Sequence, residues 1–416
     1  MFKDEFYTNI LKMFSGTVGS HILWAAAMLA VARLYAPEYF GEGQLFVSAA
    51  SILSVVATGR YEMAIVIPRF RFQAMNIFLF SLLLSLFGAV LLFPILFVFS
   101  DAIVQKLGFS AEISFLLPFY VLELCLYVLC YAWLIREKKY AITAKGLLLF
   151  PAAYLVFCLA FYYIWLPVHK LVLATMLSRG LEILYYGYFV CKGMKSLWPK
   201  ISWQQIWQYG KMYVDFPKYM LMGNFIDSAT QHMVPFFVTT FWGLAATGYY
   251  SMATQVLAAP AGLIAKSVGS VFQQEGSRLY GKYRECKAFY VKNLKICMGY
   301  STVICICMYL AVLTVVPLLM GEKWNVAGYY VQLMLPMTFV TLVSTPLSNM
   351  YVIARRQKTY LGIQTAKFLG SAISLYFVGW IGYGIEMALL IWGLAVMIIS
   401  GISIYGGKKI AEGSFA

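Results

Sequence analysis

About a dozen long apolar stretches, with almost all charge confined to the short gaps between them, leave this chain of 416 residues very few ways to fold. Runs able to cross about 30 Å of hydrocarbon at 1.5 Å per residue fall near 14–34, 44–67, 74–99, 113–135, 146–166, 171–191, 214–241, 244–272, 293–319, 327–353, 360–380 and 385–405. Backbone inside lipid must satisfy its own hydrogen bonds, so stretches of this length are helices. The expected fold is an all-α polytopic membrane protein of about twelve transmembrane helices, in two six-helix bundles related by a pseudo-twofold axis along the membrane normal. Charged residues make up 12% of the chain and mean hydropathy is +0.76. Soluble domains are about a quarter charged, so no aqueous domain is expected.

Lys and Arg are scarce in alternate gaps. Twenty-three of the 32 lie at the N-terminus (Lys3, Lys12), around Arg69 and Arg71, from Arg136 to Lys145, from Lys192 to Lys211, from Arg278 to Lys295, from Arg355 to Lys358 and at Lys408 and Lys409. Only Arg33, Lys106, Lys170 and Lys323 occupy the other set. Translocating short basic loops is unfavourable, so both termini are expected to be cytoplasmic, in a multi-pass protein of a bacterial inner membrane. The same asymmetry explains the net charge of +15 without a nucleic-acid partner, because the cations are spread over many loops that face anionic lipid. Acidic residues in the first few positions, with no small-residue cleavage site, predict that the first apolar stretch is retained as a helix. Seven of the eight cysteines fall in or at the ends of spans and Cys286 in a basic loop; no disulfide or metal spacing is present.

The stretch from Tyr35 to Ser48 has an echo in Leu244 to Gln255. Placing Gly41 on Gly248 gives an offset of 207, almost half the chain. Two lobes are therefore expected, 1–200 and 201–416, each with an even number of spans and so with one orientation. The joint is the basic stretch from Lys192 to Lys211, whose Trp198, Trp203 and Trp207 suit an amphipathic segment at the membrane interface.

A charge at the bilayer centre costs about 3 kcal/mol even on the lenient scale, so each needs a partner or water. Gln44, Ser48, Ser51, Thr58 and Glu62 of the second span, separated by 4, 3, 7 and 4, share a single helical face, which is expected to meet water or protein. On that helix Arg60 stands about 200° from Glu62, so the two are expected to look in different directions. In the eighth span Ser251, Gln255, Gly262, Lys266 and Ser270 form a similar stripe, and the offset places Gln255 on Ser48. Arg60, Arg179 and Lys266 together suggest a cationic cavity between the lobes for an anionic substrate, with Gln44, Ser48, Gln255 and Glu62 as polar contacts. The alternative is that each cation neutralises a buried carboxylate, Glu182 being the obvious partner of Arg179. Glu123, Asp227 and Asn224 are candidate ion-coupling residues; Asn224, Asp227 and Gln231 share a helical face able to hold H⁺ or Na⁺. Asp215 and Lys218 are expected to pair or to reach the interface.

Tyr39, Phe40, Gly41, Glu42 and Gly43, followed by Gly59, Arg60, Tyr61 and Glu62 within the run from Gly59 to Pro68, resemble the polysaccharide biosynthesis proteins. These are the Wzx-type O-antigen flippases of the multidrug/oligosaccharidyl-lipid/polysaccharide exporter superfamily. Asp215 to Tyr219, Thr247 to Met252 and Pro260 to Glu275 are similar to the family's later elements, so the likeness covers nearly the whole chain. It implies two six-helix bundles about a cationic cavity that carry undecaprenyl-pyrophosphate-linked oligosaccharide between leaflets, with polysaccharide polymerase and chain-length machinery as partners besides membrane lipids. Arg60 and Glu62 stand at its Gly-Arg-Tyr-Glu positions and Lys218 at the basic position after its Phe-Pro element. No cofactor is implied beyond a coupling ion.

A multidrug exporter of the same superfamily, extruding organic cations, is the nearest alternative; it favours acidic cavity residues. A membrane-embedded glycan polymerase or ligase is a further one. No large loop is expected on the far side, and no nucleotide, metal or nucleophile motif occurs, so the chain is not expected to be an enzyme.

Overall fold

A computed structural model describes residues 2–99, 110–164 and 169–413, without the side chains at 2–12, 111, 200, 259–267 and 315. The expected cation Lys266 thus lies on described backbone, but its side chain is outside the described residues. Among the described residues there are helices and turns and no strand. The helices are α1 (Phe2–Leu34), α2 (Pro37–Thr58), α3 (Arg71–Val98), α4 (Ala111–Arg136), α5 (Tyr140–Tyr163), α6 (Lys170–Met194), α7 (Trp203–Met212) and α8 (Leu221–His232). They continue as α9 (Val234–Tyr283), α10 (Lys287–Met320), α11 (Asn325–Leu347), α12 (Asn349–Ile353), α13 (Gln357–Ile381) and α14 (Ile385–Ala411).

Nine of the described helical segments are long and apolar enough to cross a membrane. The chain is a multi-pass membrane protein. α9 is parted at Gly243, whose φ of 86° and ψ of 175° no helix can hold. With that break counted, and Phe216–Met220 joined to α8, twelve long legs are described, six ending at Met194 and six following it. α6 is not among the nine, since Arg179 and Glu182 sit near its middle.

The chain forms two compact units, Met1–His232 and Met233–Ala416. In the first, α1 lies on α5 and α5 on α6, while α4 packs against α2, α3 and α6. The close approach of α5 and α6 requires Gly146, since a Cβ there would overlap the Tyr186 ring; the Tyr186 hydroxyl instead donates to the Thr143 carbonyl at 2.8 Å. The core between α3, α4 and α6 is apolar, with Ile77, Leu129, Trp133 and Tyr186 fully buried. Outward-facing Phe87, Val90, Leu184 and Tyr188 are exposed, as lipid-facing positions are.

The basic ends of three helices are tied together. Arg71 of α3 pairs with Glu137 at 2.8 Å and donates to the Gly193 carbonyl in the last turn of α6, and Arg136 of α4 donates to the Pro68 carbonyl at 2.9 Å. The amphipathic segment expected at the joint is α7, capped by Ser202, whose side chain accepts from the Gln205 N–H. It lies on α3 with Ile206 and Gly210 buried and Trp203 and Trp207 exposed, and Trp207 meets Phe80 edge-on.

In the second unit α9 and α10 pack on α11, which packs on α14. Its core gathers Phe272, Tyr290, Met350 and Tyr351, with Tyr290 and Tyr351 donating to the Ile404 and Ser403 carbonyls of α14. At its basic end Lys287 bonds Glu412 at 3.1 Å, which holds that half-buried carboxyl below the usual carboxylate range.

The 207 offset has a local counterpart. It maps Pro37, the first residue of α2, onto Leu244, where α9 resumes after Gly243. Gln44 donates to Ser48 at 3.3 Å, and Gln255 donates to Ser251 at 3.3 Å; the offset exchanges these two pairs member for member. The correspondence ends at Gly59. There the first half breaks its helix, whereas α9 runs on to Tyr283.

Candidate substrate site

The expectation of a continuous helix through Glu62 is corrected here. α2 stops at Thr58, and Gly59 and Arg60 both take left-handed backbone, with φ of 56° and 62°. A glycine makes the first of these nearly free, and the second is a strained conformation held by its surroundings. Tyr61–Val66 then forms a 3-10 helix. The sharp reversal brings Arg60 Nη1 to 3.2 Å from Glu62 Oε1, so the two residues are partners and do not look apart. The helical phase argument failed because it assumed 100° per residue across a break that only Gly59 signals.

At 22 residues α2 is about 33 Å long, a full hydrocarbon thickness. Arg60 therefore stands at the basic end of the span, not at mid-depth. From there its fork reaches across the unit: Nη2 donates to Asn224 Oδ1 of α8 at 2.7 Å while Nη1 holds Glu62. Asn224 is oriented in turn by donating to the Met220 carbonyl at 2.7 Å. Arg60 keeps 23% of its side chain exposed and Glu62 10%. Two polar atoms remain buried with no hydrogen-bond partner among the described residues, the donor Arg60 Nε and the acceptor Glu62 Oε2. Native structures seldom leave such atoms unmet, and together they suit a ligand that both accepts and donates.

Tyr61 fixes the turn to the interfacial helix, its hydroxyl donating to the Gly210 carbonyl of α7 at 2.8 Å and its ring meeting Phe80 edge-on. Each residue of the Gly-Arg-Tyr-Glu element thus has one task. Tyr61→Phe is expected to lower stability by about 1 kcal/mol and to speed amide exchange across Trp203–Met212 about fivefold, with the rest of the unit unchanged, as read by hydrogen exchange.

Arg179 takes the paired arrangement. It is bonded to Glu182, whose side chain is 1% exposed, and is held between Tyr127 at 4.4 Å and Phe150 at 4.0 Å. Trp24 of α1 stacks on Phe150 at 5.6 Å, and the Glu123 carboxyl is a further neighbour of the guanidinium. This is a polar core among α4, α5 and α6, distinct from the Arg60 turn. Glu123 Oε2, Arg179 Nε and Glu182 Oε1 have no hydrogen-bond partner there among the described residues.

The other expected residues divide between places. Gln44 and Ser48 bond each other on α2, with Ser48 and Thr58 buried, so the stripe faces protein. Asp227 accepts from Gln231 at 3.0 Å, while Asn224 on the same helix serves Arg60. Lys218 lies in Phe216–Met220, exposed, with its ammonium 5.0 Å from the Tyr219 ring; among the described residues it forms no ion pair with Asp215. Gln255 belongs to the second unit. Sequence reasoning did not find the Arg60–Asn224 bond. The two are 164 residues apart and no spacing could reveal it.

The family model described as polysaccharide biosynthesis protein matches residues 30–328. Among solved structures, an inward-facing multidrug resistance MATE family transporter of the MOP superfamily is similar over 96% of this chain and 94% of its own, at 13% identity and TM-score 0.59. An outward-facing form of such a transporter is similar over 97% and 95%, at 14% identity and TM-score 0.61. A MOP superfamily transporter from Pyrococcus furiosus, described as having a binding pocket of reversed polarity, is similar over 98% and 96%, at 15% identity and TM-score 0.61. At these identities the likeness is one of fold. No curated protein sequence matches.

Proposed function

This chain belongs to the polysaccharide biosynthesis protein family, and with that as premise we propose that it is a lipid-linked oligosaccharide flippase of the bacterial inner membrane. It moves undecaprenyl-pyrophosphate-linked O-antigen or similar repeat units from the cytoplasmic to the periplasmic leaflet by alternating access, coupled to an ion, with both termini cytoplasmic. The observation that carries this reading is the Arg60 turn. A guanidinium whose buried Nε–H has no partner among the described residues, beside a carboxylate oxygen in the same position, sits at the lysine-rich end of the unit, where a cytoplasmic head group arrives. Phosphate oxygens accept from Arg in charge-assisted bonds, and sugar hydroxyls donate to a carboxylate. The head group cannot cross hydrocarbon unaided, whereas a polyprenyl chain remains in lipid, so only the polar part needs protein. No covalent step is required.

Deleting the gene is expected to abolish surface polysaccharide and to accumulate lipid-linked repeat units on the cytoplasmic leaflet, read by lipid extraction and leaflet-specific labelling. Unchanged polysaccharide with altered resistance to organic cations would contradict this and favour the exporter.

A further inference from the structure

His169 is the first described residue after 165–168 and stands just before α6, at the end of the first unit opposite the lysine-rich loops. Its backbone is left-handed, with φ 59°, an unusual state for a non-glycine residue that here turns the ring inward. The ring is 8% exposed and engaged on both sides. Nδ1 lies 2.8 Å from Glu42 Oε1 of α2, and Nε2 lies 3.3 Å from Glu112 Oε2 of α4 and 3.0 Å from Ser110 Oγ. These are the titratable groups that face the imidazole from α2 and α4; among the described residues none from α5 pairs with it. Lys170 follows it in the chain. The imidazole is the least accessible of the three, 8% exposed between Glu112 at 67% and Glu42 at 19%.

We propose that Glu112, His169 and Glu42 form a proton-uptake relay that delivers a proton from the aqueous face opposite the basic loops to α2, the helix that ends in the Arg60 turn. The geometry is that of an imidazole bridge. A proton reaches Glu112 from water and passes to His169 Nε2; the ring releases its Nδ1 proton to Glu42 Oε1. Only O–H and N–H bonds change, and the imidazole ends as its other tautomer, with Ser110 Oγ able to accept from Nε2–H as it can donate to bare Nε2. Ser110 is itself fixed, accepting from the Ile113 N–H at 3.3 Å. Proton arrival turns the Glu42 carboxylate into a neutral acid, so the charge-assisted link between α2 and the start of α6 is lost.

The chain has three histidines, so ¹⁵N-histidine spectra of the protein in lipid nanodiscs resolve His169 once His21→Gln and His232→Gln identify the other two. The wild-type His169 ring nitrogens are both expected to exchange protons, with both neutral tautomers populated. Glu42→Gln, which keeps the shape but cannot take the proton, is expected to hold one tautomer throughout; Glu112→Gln is expected to slow proton exchange at Nε2 at least about tenfold. Thermal unfolding verifies that both variants remain folded. Identical tautomer balance and exchange in the wild type and both variants would overturn the relay. A transport arm rests on the function proposed above: in proteoliposomes Glu42→Gln is expected to lose the dependence of flipping on the pH of that aqueous face, and an unaltered dependence would overturn the coupling. If wild-type protein moves no lipid-linked oligosaccharide at all, the substrate reading falls while the spectroscopic result still decides the relay.

Discussion

Glu182→Leu is expected to destabilise the protein by about 3–5 kcal/mol, because it leaves the Arg179 guanidinium charged and buried with its carboxylate removed. The tyrosine and phenylalanine faces at 4.4 and 4.0 Å attract the cation but do not neutralise it. Replacing both members, as Arg179→Met with Glu182→Leu, is expected to restore most of the loss, since a buried pair contributes little net stability over apolar residues of similar volume. The double variant is then expected to fold and to retain transport within about tenfold of the wild type, because Arg179 is enclosed by α4, α5 and α6. Thermal unfolding in detergent and a flipping assay measure both. A stable but inactive double variant would instead place Arg179 in contact with substrate.

The second large effect concerns the turn after α2. Arg60→Lys is expected to reduce transport about tenfold to a hundredfold with normal insertion into the membrane, although charge is kept. An ammonium is a point charge and cannot hold Glu62 and Asn224 at once in the way that Nη1 and Nη2 do at 3.2 and 2.7 Å. Asn224→Ala is expected to show a smaller loss in the same direction, since it frees one arm of the fork and leaves the carboxylate pair intact. Transport by Arg60→Lys at the wild-type rate would show that charge alone matters at this position.

Several of these features were legible in the sequence. The apolar runs and the Lys and Arg asymmetry located the helices and their basic ends, because lipid enforces both. The offset of 207 was sound locally, mapping Pro37 onto Leu244 and one Gln–Ser pair onto the other. The stretch rich in tryptophan became the amphipathic α7, docked within the first unit by Ile206 and Gly210. What stayed hidden has two causes. Backbone breaks redirect side chains at once: after Gly59 the phase of Arg60 and Glu62 no longer followed from α2, and residues expected to diverge became partners. Contacts between distant segments carry no spacing signal, as with Asn224 on Arg60 and the His169 cluster. For the latter a signal did exist, since Glu42, Glu112 and His169 stand in or beside successive gaps on the side poor in lysine, where helix ends meet.

The Arg60 turn as the receptor for a pyrophosphate head group is the claim on which the functional account depends. It is tested most directly by comparing the binding of undecaprenyl pyrophosphate and undecaprenol to the protein in nanodiscs, for the wild type and for Arg60→Gln. The account predicts that the wild type binds the pyrophosphate at least about tenfold more tightly than the alcohol, and that Arg60→Gln loses this preference while still binding both through the polyprenyl chain. Equal affinity for the two lipids in the wild type, or a preference that survives in Arg60→Gln, would contradict it.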